Sequence, residues 1–238
     1  MISQRTVQLT FDLPRGTALG RSDFLVSDSN ATALGWIDRW PDWPSAALVL
    51  HGPAGCGKTH LVHLWCERAS AVAVAGASLD EDAVACLVAQ RHHRVAVDDA
   101  DCACERALLH LYNSCLEARG SMLIAARRPA ASWTIRLDDL GSRLRAALAV
   151  SVQPADDALL GALLVKHFAD RQLRVAPDVI AYVLQHMERS FAAAAEIAAR
   201  LDQVSLRDKC AITVPLARKL LTESAAHPPS SASDPGVK

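Results

Sequence analysis

Long apolar runs are missing from this sequence. No stretch is long enough to cross a bilayer, and the opening residues MISQRTVQLTFDLP lack the continuous apolar segment of a secretory leader, so a cytoplasmic protein without membrane contact is expected. An excess of charge is missing too. Lys and Arg number 25 against 26 Asp and Glu, a net charge of −1, which gives no general attraction to nucleic acid or anionic lipid. Aromatic residues are few, 5% of 238 positions, while hydrophobic residues reach 51%, with many Ala, Val and Leu. That mixture describes a helix-rich globular protein with a substantial core. The seven cysteines (Cys56, Cys66, Cys86, Cys102, Cys104, Cys115 and Cys210) are odd in number and scattered, without a paired CxxC. They exclude a disulfide framework and a structural zinc site and read as reduced thiols; Cys102 and Cys104 are expected to pack. Internal repeats are absent as well.

What is present is alternation. Residues 1–20 make a polar arm interrupted by Pro and Gly, with one apolar island from Val7 to Leu13. A helix is expected over 30–40, ending before Pro41 because the residue preceding a proline disfavours helical geometry. Short apolar strands are then expected at 46–50, 71–75, 95–97, 122–125 and 149–152, separated by helices over 59–69, 80–90, 104–119 and 137–147. Apolar strands alternating with helices imply a parallel sheet covered on both faces. After Pro154 the strands stop, and four helices are expected over 156–171, 177–187, 191–206 and 214–224. The expected organisation is an arm (1–20), an α/β domain with a five-stranded parallel sheet (21–153), a small all-helical domain (154–224) and a Pro/Ser-rich disordered tail (225–238).

The stretch Gly52-Pro53-Ala54-Gly55-Cys56-Gly57-Lys58-Thr59 matches GxxxxGK[ST] in full, after a strand and at the start of a helix. A nucleotide's phosphates carry several negative charges, which backbone N–H groups at a helix N-terminus hold well. Gly52, Gly55 and Gly57 free the loop of side chains, Lys58 is expected on the β- and γ-phosphates, and the Thr59 hydroxyl on Mg²⁺. Forty residues on, Arg94-Val-Ala-Val-Asp98-Asp99 puts a carboxylate at the tip of a strand expected to neighbour the loop. Asp98 suits the Mg²⁺ shell, and Asp99 is a candidate to orient or deprotonate an attacking water. Arg143 and Arg145 lie on a helix beyond the fourth strand; pattern alone reads them as a solvated face, although arginine suits a γ-phosphate. His60, His63, His92 and His93 lack the partners of a metal site, and Trp36, Trp40 and Trp43 in WIDRWPDW read as packing.

The stretches RSDFLVSDSNATAL, HGPAGCGKTHL, LLHLYNSCLEARGSMLIAARRPAASW and LDDLGSRLRAAL, with the helical region behind them, resemble the AAA+ core of the replication initiator DnaA. Over about residues 5–222 the sequence is most similar to the Hda-type regulators, shorter DnaA homologues that switch the initiator off. The resemblance implies an AAA+ core with a helical lid and ADP or ATP with Mg²⁺ as cofactor, held by residues 52–59, His60 and Asp98, with Leu25 and Val26 near the adenine. It also makes Arg143 an arginine finger that completes a site across a subunit boundary. Gln8-Leu-Thr-Phe-Asp-Leu13 is similar to peptides that bind the polymerase sliding clamp, the β subunit: Gln8 supplies directional hydrogen bonds while Leu9, Phe11 and Leu13 fill an apolar groove. The short tail after the lid leaves no room for the initiator's DNA-reading domain, so sequence-specific DNA binding is not expected. Two positions depart from the family: Arg127 stands where a polar sensor of the γ-phosphate is usual, and Ala192 where a lid arginine would touch phosphate. Weak or absent intrinsic hydrolysis is therefore expected. The implied function is negative regulation of replication initiation, by docking on the clamp and stimulating ATP hydrolysis in DnaA. A self-sufficient loader or motor, and a nucleotide-stabilised scaffold on the clamp, remain as alternatives, and self-association is left open.

Overall fold

The computed structural model describes residues 24–226. Helix α1 (Ala31–Arg39) precedes five β-strands: β1 (Ala47–His51), β2 (Val72–Ala75), β3 (Arg94–Asp98), β4 (Ser121–Ala126) and β5 (Leu148–Ser151). Between them run α2 (Lys58–Ala69), α3 (Glu81–Ala89), α4 (Glu105–Glu117) and α5 (Asp138–Ala146). All pairings are parallel, in the order β2-β3-β4-β1-β5. β1 is central: Val49 lies opposite Ile124 on one side and Ala149 on the other.

Successive side chains of a strand point to opposite faces, and the two cores divide accordingly. Ala47, Val49, Val95, Val97, Met122 and Ile124 pack under Val84 and Leu87 of α3, Leu108 and Leu111 of α4, and Leu140 and Leu144 of α5. Leu48, Leu50, Ala96, Leu123 and Ala125 pack on the other face, under Ala33, Leu34 and Ile37 of α1 and Leu61, Leu64 and Trp65 of α2. Because both faces are covered, β1 reads as an unbroken apolar run, and each fully buried leucine on it contributes about 2 kcal/mol. The indoles supply packing: Trp43 stacks on buried Trp65 at 5.5 Å between centroids, and Trp40 meets it edge-on at 6.3 Å.

Four further helices follow: α6 (Asp157–Asp170), α7 (Pro177–His186), α8 (Phe191–Asp208) and α9 (Val214–Ala226). They enclose a separate core of Leu160, Leu164, Phe168, Val183, Ala198 and Leu201. Their starts follow local chemistry: Asp156 caps α6 by accepting from the Leu159 amide at 2.7 Å, Pro177 opens α7, and Ser190 caps α8 by accepting from the Ala193 amide at 3.0 Å.

The parallel sheet and the helical region are those expected from the sequence. Three details differ. α9 continues to Ala226, past the expected end at 224. Val26, expected near the adenine, is 54% exposed. Cys102 and Cys104 are exposed, where packing was expected. Cys102 ends a 3₁₀ turn and Cys104 is the extended residue before α4, so neither belongs to a face that meets the sheet. Among the described residues no helix is long and apolar enough to cross a membrane, and no three or more His, Cys, Asp and Glu side chains cluster as a metal site.

Candidate nucleotide site

The loop from Gly52 to Gly57 leaves the C-terminal end of β1 and opens α2. The Gly52 amide donates to the Ala126 carbonyl at 3.2 Å, which ties the loop to the end of β4. A side chain is excluded at Gly52, since a Cβ there would lie 2.2 Å from the Val152 carbonyl oxygen. Gly55 and Gly57 have φ of +72° and +95°, the left-handed conformation that curls a loop into a concave row of amide donors. α2 begins at Gly57 without a side-chain cap, so its first N–H groups retain donor capacity for an anion.

Lys58 is only 6% exposed, and its Nζ donates to the carbonyls of Gly52 (2.9 Å) and Pro53 (2.8 Å), with Cys56 Sγ at 3.7 Å. Among the described residues no carboxylate pairs with it. A buried ammonium satisfied by carbonyls alone still lacks a counter-charge, and that lack is expensive. An uncapped helix start, two left-handed glycines and an unpaired buried cation fit a polyphosphate group. The donor set for a divalent cation is adjacent: Thr59 Oγ1 donates to Asp98 Oδ2 at 2.7 Å, and Asp98 Oδ1 accepts from the Asp99 amide at 3.1 Å. Although β4 separates β3 from β1, α2 packs over both β3 and β4 and brings Thr59 to the carboxylate. Burial lowers the His51 imidazole below its ordinary 6.5 at the end of β1, and pushes the Cys66 thiol on α2 up to about 12 with help from the Asp98 and Glu67 charges.

Asp99 is exposed and itself in the left-handed region, φ 49° and ψ 47°, where the chain turns sharply off β3. A Cβ on Gly76 would meet its carbonyl oxygen at 2.2 Å, so the turn is packed closely against the end of β2. Its carboxylate faces Arg127, whose Nε lies 3.7 Å from Asp99 Oδ1. Arg143 on α5 is held on two sides. Its Nε donates to Asp139 Oδ2 at 3.2 Å, and its guanidinium lies 5.7 Å from the centroid of the Tyr112 ring. Arg145, two residues on, is exposed.

The helical domain meets the loop directly. The Phe191 amide donates to the Gly55 carbonyl at 3.3 Å. A Cβ on Gly55 would lie 2.3 Å from Ser190 Cβ, and one on Gly57 would lie 3.2 Å from the Phe191 ring. Sequence reasoning looked for a charged lid residue and found Ala192, which is exposed; it missed Ser190 and Phe191, which touch the loop. The available signal was Ser190 itself, a helix-capping residue followed by an aromatic. Leu25 packs against the helical domain's core, whereas Val26 is 54% exposed. His60 lies edge-on to buried Phe24, 4.9 Å between ring centroids. Gln8, Leu9, Phe11 and Leu13, expected to engage the clamp, lie outside the described residues.

A phosphate loop on the central strand, an acidic corner one strand beyond its neighbour and a helical lid against the loop define a P-loop protein of the AAA+ class. Residues 157–221 match the family model described as the lid domain of Hda. The chain is similar to domain III of the replication initiation protein DnaA from Thermotoga maritima, at TM-score 0.75 and 16% identity, covering 89% of this chain and 98% of that one. It is also similar to AMPPCP-bound DnaA from Aquifex aeolicus (TM-score 0.68, 14% identity, 85% of this chain and 68% of that one). The RuvB Holliday junction branch migration motor of Thermotoga maritima shares the fold at TM-score 0.63 and 14% identity, over 75% of this chain and 61% of that one. The chain thus shares its fold with domain III of DnaA and carries a helical region that matches the Hda lid domain over residues 157–221.

Proposed function

We propose that the protein is a nucleotide-bound negative regulator of replication initiation, which docks on the sliding clamp and stimulates ATP hydrolysis by DnaA. The observation that carries this reading is the contrast between two arginines. Arg143 is oriented by Asp139 and Tyr112, and because that ion pair with Asp139 is exposed and weak, the guanidinium can exchange the carboxylate for a partner's phosphate. Arg127, by contrast, is turned onto Asp99, the acid expected to orient water in this chain's own site, and the lid offers Ala192 in place of a cation. A protein with a prepared finger and a compromised site of its own suits an activator of another ATPase better than a motor.

Residues 52–59 would hold the phosphates of ADP or ATP, with Lys58 supplying charge and Thr59 and Asp98 holding Mg²⁺. Bound nucleotide would supply the anion that Lys58 lacks and steady the lid against the loop through Ser190 and Phe191. Gln8, Leu9, Phe11 and Leu13 would tether the chain to the clamp, and Arg143 would then place its guanidinium where charge builds on the phosphoryl group transferred in DnaA.

Phosphate release tests the reading, measured for this protein alone and then for DnaA with this protein and DNA-loaded clamp. Release only in the mixture, lost with Arg143→Ala while clamp retention persists, supports the regulator. Robust release by the protein alone indicates a motor, and none in either case leaves a scaffold. Retention on the clamp should disappear with Gln8→Ala and Leu9→Ala together; unchanged retention ends the tether assignment.

A further inference from the structure

We propose that residues 7–13 of the N-terminal arm, which lie outside the described residues, add to the open edge of β5 as a further strand and are withheld from other partners while they lie there. β5 is an outer strand of the sheet, paired only with β1. The Leu148 amide donates to Ser45 Oγ at 3.2 Å and the Val152 amide to the His51 carbonyl at 2.8 Å, both on the β1 side. The alternate residues Ala149 and Ser151 therefore direct their main-chain N–H and C=O groups away from β1, and among the described residues no main-chain group pairs with them. The next outward amide, that of Gln153, already donates to the Ser29 carbonyl at 3.0 Å, so the segment leading into α1 has begun to extend this edge. A groove of about 360 Å³ runs along it, walled by Thr32 and Trp36 of α1 and by Leu148 and Val150 of β5.

The two faces of this edge differ. Leu148 and Val150 turn to the α1 side and join the apolar cluster that includes Trp36, whereas Ala149 and Ser151 are exposed on the other side. A strand laid here needs apolar side chains at alternate positions and polar ones between them. Val7-Gln8-Leu9-Thr10-Phe11-Asp12-Leu13 keeps that alternation throughout. An exposed edge is a template for pairing, and main-chain bonds combined with alternate side chains in a groove are how extended segments add to a sheet. The tether is long enough: residues 14–23 span up to about 33 Å when extended, and Asp28, which lines the groove, is four residues on from Phe24. A second copy would have to reach the edge by diffusion, whereas a linker this short holds the arm at an effective concentration in the millimolar range.

Docking itself does not depend on the clamp reading; its consequence does, because Leu9, Phe11 and Leu13 cannot fill the clamp's groove and this one together. Hydrogen exchange at the Ala149 and Ser151 amides, followed by NMR on the full-length protein without clamp, tests the docking. Both amides should exchange about tenfold more slowly than in Phe11→Ser, the ratio for an arm docked about nine-tenths of the time. Equal rates in the two proteins overturn the proposal: fast in both leaves the edge open, and slow in both gives it to another segment. Slowing that grows with protein concentration overturns it too, in favour of a second copy. Ala149→Pro removes one outward N–H, leaves the bonds to β1 in place and is of a kind tolerated on an edge strand. With a thermal melt to confirm its folding, this variant should bind DNA-loaded clamp about tenfold more tightly than wild type. Unchanged affinity overturns the withholding of the arm. Clamp binding by neither protein overturns instead the tether reading, and the exchange comparison still decides the docking.

Discussion

Gly55→Ala is the change that most tests how the lid meets the phosphate loop. The backbone at Gly55 has φ +72°, and an alanine held there costs about 1 kcal/mol from its Cβ alone. The larger cost is tertiary. The added methyl would lie 2.3 Å from Ser190 Cβ, so the two chains must separate by roughly 1 Å to restore ordinary carbon contact. Ser190 is not free to yield: its Oγ accepts from the Ala193 amide at 3.0 Å, and the Phe191 amide donates to Gly55 at 3.3 Å. Losing the cap costs about 1 kcal/mol, and losing the hydrogen bond a similar amount. The expected destabilisation is therefore about 3 kcal/mol, read as a lower urea midpoint with little change in slope. Ser190→Gly in the same chain removes the atom in the way while glycine keeps most of the capping preference, so the double variant should recover at least half of the loss. Gly35→Ala is the control: Gly35 is exposed within α1 with no atom within 4 Å of an added Cβ, and it should stabilise by about 0.5–1 kcal/mol. A Gly55→Ala protein within 0.5 kcal/mol of wild type, or a Ser190→Gly change that fails to rescue, would refute the reasoning.

Two other outcomes follow from burial. His51 and His167 both have their imidazoles lowered from the ordinary 6.5, first by desolvation and at His167 also by Arg171 and Lys166. An unfolded histidine then takes up a proton that the folded one resists, so stability is full above pH 6.5 and declines as the pH falls through it. Melting temperatures between pH 8 and pH 5.5 should show the decline, and His167→Gln should reduce it, leaving the part due to His51. A thiol reagent on native protein should label exposed Cys102, Cys104 and Cys210 quickly, and leave Cys66 and Cys115, whose thiols are pushed up to about 12 and 11, until denaturant is added.

Legibility in the sequence followed the range of the interactions. Ala47–Leu50 reads as a buried strand because neighbouring residues on both faces must be apolar, a purely local signature. The phosphate loop was legible because its chemistry fixes glycine, lysine and threonine at set spacing on one continuous turn. Thr59 and Asp98 were each expected at the cation and do meet at 2.7 Å, although the sequence did not show that β4 intervenes between their strands and that α2 makes the bridge. Arg127 was visible only as a departure from a pattern. Its partner Asp99 became apparent once the order of three parallel strands was known, because nothing in sequence separation encodes which strand ends are neighbours. Ser190 and Phe191 were illegible for the same reason: their contact with Gly55 and Gly57 depends on how one domain rests on another. The exposure of Cys102 and Cys104 was missed because cysteine carries no polarity with which to mark a turn.

The account stands on the loop at Gly52–Thr59 gripping a nucleotide's phosphates, and titrating purified protein with ADP and with ATP in the presence of Mg²⁺ tests that most directly. The prediction is saturable uptake with one site per chain, a thermal stabilisation of about 2.7 kcal/mol at a ligand concentration a hundredfold above Kd, and loss of both with Lys58→Ala. Heat and melting curves indifferent to both nucleotides, or binding that survives Lys58→Ala unchanged, would contradict it.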